Sequence, residues 1–562
     1  MPSIRLALGA LALTASVSAA QQDLPRKYTG PATRAEISAA DLMTRLYIFA
    51  DDSMMGREVG TPYHLMATAY IANELRALGL VPAGDNGTYF QDLPVFTSSA
   101  DSASSMIVDG RRLTFGSDFL PYANADSRIV LDGVTVVYAG SLRDSSTWIS
   151  AEQARGKIVV FTVPITSTPA RNFQLGAQSR FGGSVLAMVG SLERVAPGVR
   201  PFLTQRMEWV TTPQPSAGPP TVFITSAVAT SLLGPLDKLR TGATGTSLAG
   251  TIVLHRSRAP ARNVAAILPG SDAALRGQYV ALGAHSDHIG FTIHPVDHDS
   301  VRAFNTLARP QGEDSPPFAR ITAAQAPRYR ALLDSLRARH PARLDSIYNG
   351  ADDDGSGTVS VLEIAEALAK GTTRPRRSIL FVWHAGEEKG LWGSEYFTDH
   401  PTVPRDSIVA QLNLDMVGRG APTDVTGETR SGVLTHGGPG YLQLVGSRRL
   451  STELGDLIEA VNVKQKSGLT FDYAMDANGH AQSIYCRSDH YEYARYGIPI
   501  VFMTTGGHAD YHQVTDEPQY IDYRHMAQVA TFVSAAVVEI ANLDHRIVVD
   551  KPKPEVGAQC VQ

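Results

Sequence analysis

The chain has 562 residues, 43% of them hydrophobic and 19% charged, with a formal net charge of −5. This length predicts more than one domain and an ample core, while the mild acidity and the lack of any Lys/Arg block argue against nucleic acid or an anionic membrane as partner. Two cysteines, Cys486 and Cys560, are too few for a disulfide scaffold or a thiolate metal site, so any metal ligands must be nitrogen and oxygen.

Residues 1–20 read as an export signal: Arg5 is the single charge, Leu6 to Leu13 is apolar, and Ser18-Ala19-Ala20 offers small residues for cleavage. The apolar run is too short to span a bilayer and no cysteine follows it, so a secreted or periplasmic protein without stable membrane insertion is expected. Residues 21–97 read as helical, with Leu42, Leu46, Ile48 and Phe49 leading in and Leu65, Ala69, Ala72, Leu75 and Leu78 at three-to-four spacing; Gly56 to Pro62 is a loop between them. From 98 to 257 the texture changes to short β-like runs separated by Gly, Pro and Ser, such as Val134–Tyr138, Lys157–Val163 and Thr221–Ile224, which predicts an inserted β-rich domain.

Residues 258–545 alternate apolar strands with helices: Tyr279–Ala284, a helix over Ser356–Ala369, Ser378–His384, Ile408–Val417 and Pro499–Thr504. That alternation predicts an α/β fold, a mostly parallel mixed sheet flanked by helices. Residues 291–347 interrupt it with polar sequence and one helix near Pro327–Arg339, read as an excursion over the active-site rim. Residues 546–562 are a C-terminal tail.

Metal-ligand side chains recur where these strands end. His285-Ser286-Asp287 follows the first, Glu387-Glu388 the second, Asp415 the third and His512 the last, while Asn349 to Gly357 is an acidic turn that opens a helix. Open α/β sheets gather chemistry at the carboxyl ends of strands, so these groups can converge on one crevice. Two imidazoles and three carboxylates suit divalent zinc, cobalt or manganese. Five ligands exceed one tetrahedral ion, and two ions sharing a carboxylate, roughly 3.5–4 Å apart, polarise a carbonyl and acidify a water. One of the adjacent Glu387 and Glu388 can then bind metal while the other takes the proton. Asp287, two residues past His285, is placed to hold that imidazole by its second nitrogen.

The series His285-Ser286-Asp287, Gly350 to Gly357, Glu387-Glu388-Lys389-Gly390-Leu391-Trp392-Gly393-Ser394, Asn413-Leu414-Asp415-Met416, Ser488-Asp489-His490 and Tyr511 to Asp516 resembles the co-catalytic zinc aminopeptidase family, of the secreted bacterial leucyl and aminopeptidase Y type. The resemblance implies a zinc exopeptidase fold, two Zn2+ per chain and peptide substrates. It implies His285 and Asp415 on one metal, Glu388 and His512 on the other, and Asp353 bridging. It further implies Glu387 as general base and Tyr485 as the oxyanion donor. The β-rich stretch, including Gly156–Phe161 and Gly182–Val189, resembles the protease-associated domain that the family often inserts. Two departures stand out: residues 291–347 replace a short loop, and Cys486 lacks the nearby cysteine that some members pair with it, which leaves Cys560 as its one partner if it is bonded at all.

Competing readings start from the same residues. Asp352-x-Asp354-x-Ser356-Gly357 with Glu363 approaches an EF-hand calcium loop, but Tyr348-Asn349-Gly350 breaks the incoming helix and no second hand is present. Ser488-Asp489-His490 cannot form a serine relay from adjacent side chains. His288, His294, His298, His384 and His508 have no motif support, and His508 lies close enough to His512 to be mistaken for the ligand. A carboxypeptidase or dipeptidase of the same fold needs a cation for the substrate carboxylate, for which Arg487 and Arg419 are candidates. A single-zinc glutaminyl cyclase and an inactive receptor-like binding protein complete the alternatives.

Overall fold

The computed structural model describes residues 24–124, 126–163, 179–196, 199–209 and 218–562. Residues 1–20, read from sequence as an export signal, lie outside them. Among the described residues no helix is long and apolar enough to cross a membrane.

A nine-stranded sheet forms the centre: Val81–Pro82 (β1), Phe90–Asp92 (β2), Arg262–Leu268 (β3), Tyr279–His285 (β4), Ser378–His384 (β5), Ile408–Leu414 (β6), Tyr441–Val445 (β7), Thr470–Asp472 (β8) and Ile500–Thr504 (β9). The strand order is β1-β3-β5-β4-β6-β9-β7-β8, with β2 also paired to β3. The inner four, β5, β4, β6 and β9, run parallel. β3 and β7 pair antiparallel on either side of them. All four inner strands therefore present their carboxyl ends along one edge.

These strands are apolar throughout because both faces are covered. On β5, Ile379, Phe381 and Trp383 enter one core cluster, and Leu380 and Val382 enter the other. β9 divides likewise, Val501 and Met503 to the first and Ile500 and Phe502 to the second, which is the period of two expected of a strand. Each fully buried side chain of this size contributes about 1.5–3 kcal/mol of transfer free energy. The first face is covered by Ala39–Phe49 (α1), Pro62–Ala77 (α2), Gly357–Lys370 (α3) and Tyr523–Asn542 (α4). Ser38, Thr61 and Asp522 cap α1, α2 and α4 through their side chains, and Pro62 opens α2 where its missing N–H costs nothing. Glu363 on α3 accepts from Arg45 Nε at 3.1 Å and from the Ser38 amide at 3.3 Å, so it ties α3 to α1 and does not turn toward the acidic loop as a calcium ligand would.

Between β2 and β3 the chain leaves the central sheet. Val95 to Arg258 builds a six-stranded antiparallel sheet, and a five-stranded one runs in the order Phe119–Tyr122, Thr221–Ile224, Leu186–Gly190, Ile158–Thr162, Val136–Ser141. The second sheet is parallel except at Phe119–Tyr122 and carries the helix Ser226–Leu233 against it, so this insertion is more mixed than its β-like sequence suggests. The rim excursion starts and ends as one antiparallel ribbon, Phe291–Asp297 with Leu344–Ile347, and holds two helices, His298–Ala308 and Ala326–Arg337. Residues 546–562 do not trail free: Cys560 is disulfide-bonded to Cys486, and the Gln562 side chain accepts from the Tyr485 amide at 2.9 Å.

Candidate metal centre

The site forms where β4, β5 and β6 end, and the acidic turn 351–356 closes over it. Arg57, fully buried, donates to the Gly350 carbonyl at 3.0 Å, while the Asp516 carboxylate accepts from the Asp352 and Asp353 amides at 3.0–3.2 Å. Gly350 sits at φ 56°, and a Cβ there would lie 2.3 Å from the Asp353 carbonyl and 2.6 Å from the His288 ring. The Asp353–Asp354 peptide bond is cis.

The three aspartates of this turn have different work. Asp352 accepts from the Gly418 amide at 2.7 Å and faces His508 Nε2 at 3.1 Å. Asp354 accepts from the His285, Gly357 and Met416 amides at 3.1, 2.9 and 3.2 Å. Both are committed to holding the turn against β4 and β6. Asp353 alone has both oxygens toward imidazoles: Oδ1 is 3.1 Å from His285 Nε2, and Oδ2 is 2.9 Å from His512 Nε2.

Around Asp353 the other ligand-type side chains divide into two groups. Asp415 Oδ1 lies 3.7 Å from His285 Nε2, and Glu388 Oε2 lies 3.0 Å from His512 Nε2. Candidate ligand atoms of His285, Asp354 and Asp415 come within 4.8 Å of one another, as do those of His288, Asp353, Glu388 and His512. The five side chains of the sequence pattern thus meet. His288, which has no motif support in the sequence, and Asp354, weighed there only as part of a calcium loop, join them.

The donor set fits a cation. His285 Nε2 and His512 Nε2 are buried with no hydrogen bond, although carboxylates stand within ion-pair distance of each. Burial alone would lower both imidazoles, yet the surrounding carboxylates push His285 and His512 well above the ordinary range. Burial likewise opposes ionisation of Asp353 and Glu388, but contacts with His285 and His512 hold Asp353 well below its usual value, and those with His512 and His288 hold Glu388 at about 2. The field here calls for positive charge, and with both cysteines in the disulfide every donor is nitrogen or oxygen.

Surrounding groups orient these atoms. Ser488 Oγ donates to Asp415 Oδ2 at 2.7 Å and accepts from Asn413 Nδ2 at 3.1 Å. His285 Nδ1 lies 3.2 Å from the main-chain carbonyl of Asp287, an acceptor only, so Nδ1 is the donor and Nε2 faces Asp353. Here the structure corrects the expectation for Asp287: its carboxylate is 3.7 Å from that nitrogen and instead accepts from the Glu387 amide at 3.2 Å, which fixes the segment carrying the paired glutamates.

A cavity opens beside the centre, lined by Asp353, Glu387, Asp415, Phe502, Arg487 and Tyr511 among others. Glu387 is pushed well above the usual carboxyl range by burial, and further by the Asp415 and Glu388 charges. Tyr485 does not reach this cavity, contrary to the role expected for it. Its ring is buried in the second core cluster, against Tyr491 and below Gly446, where a Cβ would approach it to 3.2 Å. The turn Ile484–Cys486 sends Ile484 and Arg487 to the cavity and Tyr485 inward. The tyrosine that faces the site is Tyr511, stacked on His512 at 4.1 Å between ring centroids, its hydroxyl accepting from Arg487 Nη2 at 3.3 Å.

Other histidines fall elsewhere. His508 pairs with Asp352, Asp489 pairs with His384 at 3.3 Å, and His490 stacks on Phe502, so no serine relay exists at 488–490. Arg419 is held by Asp510 and Asp424 and is absent from the cavity wall.

The stretch that carries this arrangement, residues 263–537, matches Peptidase family M28. It is an M28 peptidase-family domain. Leucine aminopeptidase 1 of Coccidioides posadasii is 32% identical over 224 residues, 38% of this chain and 51% of that protein. Leucine aminopeptidase 1 of Penicillium rubens is 29% identical over 201 residues, 34% of this chain and 47% of that protein. The chain thus spans about half the length of these curated relatives. The solved structure of BSAP, a zinc aminopeptidase from Bacillus subtilis, is similar with a TM-score of 0.42 and 15% identity, covering 90% of this chain and 96% of that one. Among the residues around the centre to which sequence reading gives no role are His288, Asp516 and, outside the matched stretch, Arg57. Asp516 lies inside the Tyr511 to Asp516 motif, whereas Arg57 is 0% exposed in a stretch that reads as a loop.

Proposed function

We propose that this chain is a secreted zinc aminopeptidase that hydrolyses the N-terminal peptide bond of peptides with two zinc ions. The observation that carries the reading is Asp353 between His285 and Asp415 on one side and His512 and Glu388 on the other, beside a cavity that contains Glu387. Those five residues would hold the metals. Zinc bound there supplies a Lewis acid for the scissile carbonyl and acidifies a water.

The chain's own groups do the rest. Glu387, kept basic by burial and by its carboxylate neighbours, takes a proton from the attacking water and passes it to the leaving amine. Tyr511 keeps its hydroxyl proton because burial pushes its pKa up, and since Arg487 donates to its oxygen, its own O–H is available to the developing oxyanion. Ser488 and Asn413 hold Asp415 in place.

Recognition of a free amine is favoured over recognition of a carboxylate by the fate of the cations. Arg487, the guanidinium on the cavity wall, is engaged by Asp314 through contacts of 2.8 and 3.1 Å, and Arg419 points elsewhere. The reading is tested by chelator-sensitive release of the first residue from free-amine peptides, compared with N-acetylated ones.

A further inference from the structure

His285 and His512 are oriented by different means. The second nitrogen of His285 meets a carbonyl two residues along its own strand end, whereas His512 Nδ1 donates to Glu313 Oε2 at 2.6 Å, 199 positions upstream in the rim excursion. Glu313 lies in a short turn, Gly312–Asp314, between the excursion's two helices. That turn is fastened at every residue. Gly312 sits at φ 56°, and a Cβ there would meet the Tyr511 carbonyl at 2.3 Å. The Glu313 amide donates to the same carbonyl at 3.2 Å, and Asp314 receives two contacts from Arg487. One residue earlier, Gln311 Oε1 accepts from Gln482 Nε2 at 3.3 Å and lines the cavity together with Asp314.

We propose that Glu313 is a positioning residue for His512, and that through it the excursion 291–347 is an integral part of the metal centre and not a cover laid over it. This rests on the reading of His512 as a metal ligand. A carboxylate can only accept, so Glu313 assigns the proton to Nδ1 and leaves the Nε2 lone pair directed at Asp353 Oδ2 and Glu388 Oε2. It also strengthens the imidazole as a donor, as carboxylates behind metal-binding histidines do. The Glu313 side chain is 61% exposed, and among the described residues its one side-chain hydrogen bond is to His512, with the Arg309 charge nearby, so its loss leaves the core intact. The excursion thereby gains a function of its own: undocking it weakens one metal position and not the other.

The test is the affinity of the full chain for Zn2+, measured by competition with a chelator of known strength, for the native protein, Glu313→Ala and Glu313→Gln. Thermal unfolding of each metal-free protein is recorded in parallel. In Glu313→Ala the first equivalent binds as in the native protein, and the second is weakened about 10–100-fold. Glu313→Gln keeps a carbonyl acceptor and falls between the two. The metal-free proteins unfold at the same temperature. If both equivalents bind Glu313→Ala with native affinity, or if both weaken together with a fall in unfolding temperature, the positioning role is overturned. A native protein that binds fewer than two zinc ions overturns the metal-centre reading itself, and this role with it. A native protein that binds two, with Glu313→Ala indistinguishable from it, overturns the role of Glu313 alone.

Discussion

Asp353 stands between His285 and His512 with one carboxylate oxygen toward each, at 3.1 and 2.9 Å. Its neighbours Asp352 and Asp354 use their oxygens on backbone amides and His508, so charge and scaffold are divided within three consecutive residues. Asp353→Asn keeps the shape but removes the shared negative charge. Its zinc content after dialysis is expected to fall to one equivalent or less, with an unfolding temperature for the metal-free protein near that of the native chain. Asp354→Asn, which replaces an acceptor of three buried amides by a group that also donates, is expected to lower that temperature instead. Elemental analysis and calorimetry on both variants check the division.

Glu387→Gln removes the proton acceptor while leaving its size. The expected result is a fall in kcat by about 10²–10⁴-fold, the range of a general base, with zinc content and KM little changed. Loss of zinc in this variant would move Glu387 from base to ligand.

Tyr511→Phe and Tyr485→Phe separate the tyrosine on the cavity wall from the one to which the sequence resemblance gives the oxyanion role. Tyr511 lines the cavity and Tyr485 is buried under Gly446. Tyr511→Phe is expected to lower kcat by about 10²–10³-fold, as removal of an oxyanion donor does, and to leave stability near native. Tyr485→Phe should leave kcat unaltered. Steady-state kinetics on the pair decide which hydroxyl faces the reaction.

The centre was legible because its groups follow strand ends. An apolar run that stops at His285, at His384 before Glu387, or at Leu414 before Asp415 announces both the strand and the exposed edge. Tyr485 was misplaced for a physical reason: in a short turn, adjacent residues face opposite ways, and which one faces the site is set by the partner surface, here the space above Gly446. Glu313 and Arg57 were invisible because their contacts are with Tyr511 and His512 in one case and with Asn349 and Gly350 in the other, far along the chain. The helix His298–Ala308 escaped notice because its start, Asp297-His298-Asp299, reads as polar loop, although Asp297 caps it through the Ser300 amide.

Docking of the excursion should depend on acid. Burial would raise Glu517, but His298 and Arg343, both from the excursion, hold it below its ordinary value. A carboxyl depressed in the folded state contributes stability that is present above its unfolded pKa, about 4.3, and is lost as pH falls through the folded value. Protection against hydrogen exchange over 291–347, taken relative to the intrinsic rate at each pH, is therefore expected to be high at neutral pH and to fall below about pH 4, with Glu517→Gln showing a flatter dependence. A profile identical in both proteins would remove Glu517 from the account.

The disulfide Cys486–Cys560 fastens the last residues to the turn that carries Arg487 toward the cavity. Cys560→Ser is expected to lower stability by about 2–4 kcal/mol. Gln562 then loses its hold on the Tyr485 amide, and calorimetry with and without reductant reads the effect.

On the proposed function, two zinc ions around Asp353 serve removal of an N-terminal residue. Metal content by mass spectrometry on the purified protein, joined to hydrolysis of matched free-amine and N-acetylated peptides before and after chelation, is the decisive measurement. Two zinc equivalents per chain and chelator-sensitive release of the first residue from free-amine peptides only are expected. One equivalent or none, or equal cleavage of blocked peptides, would contradict that function.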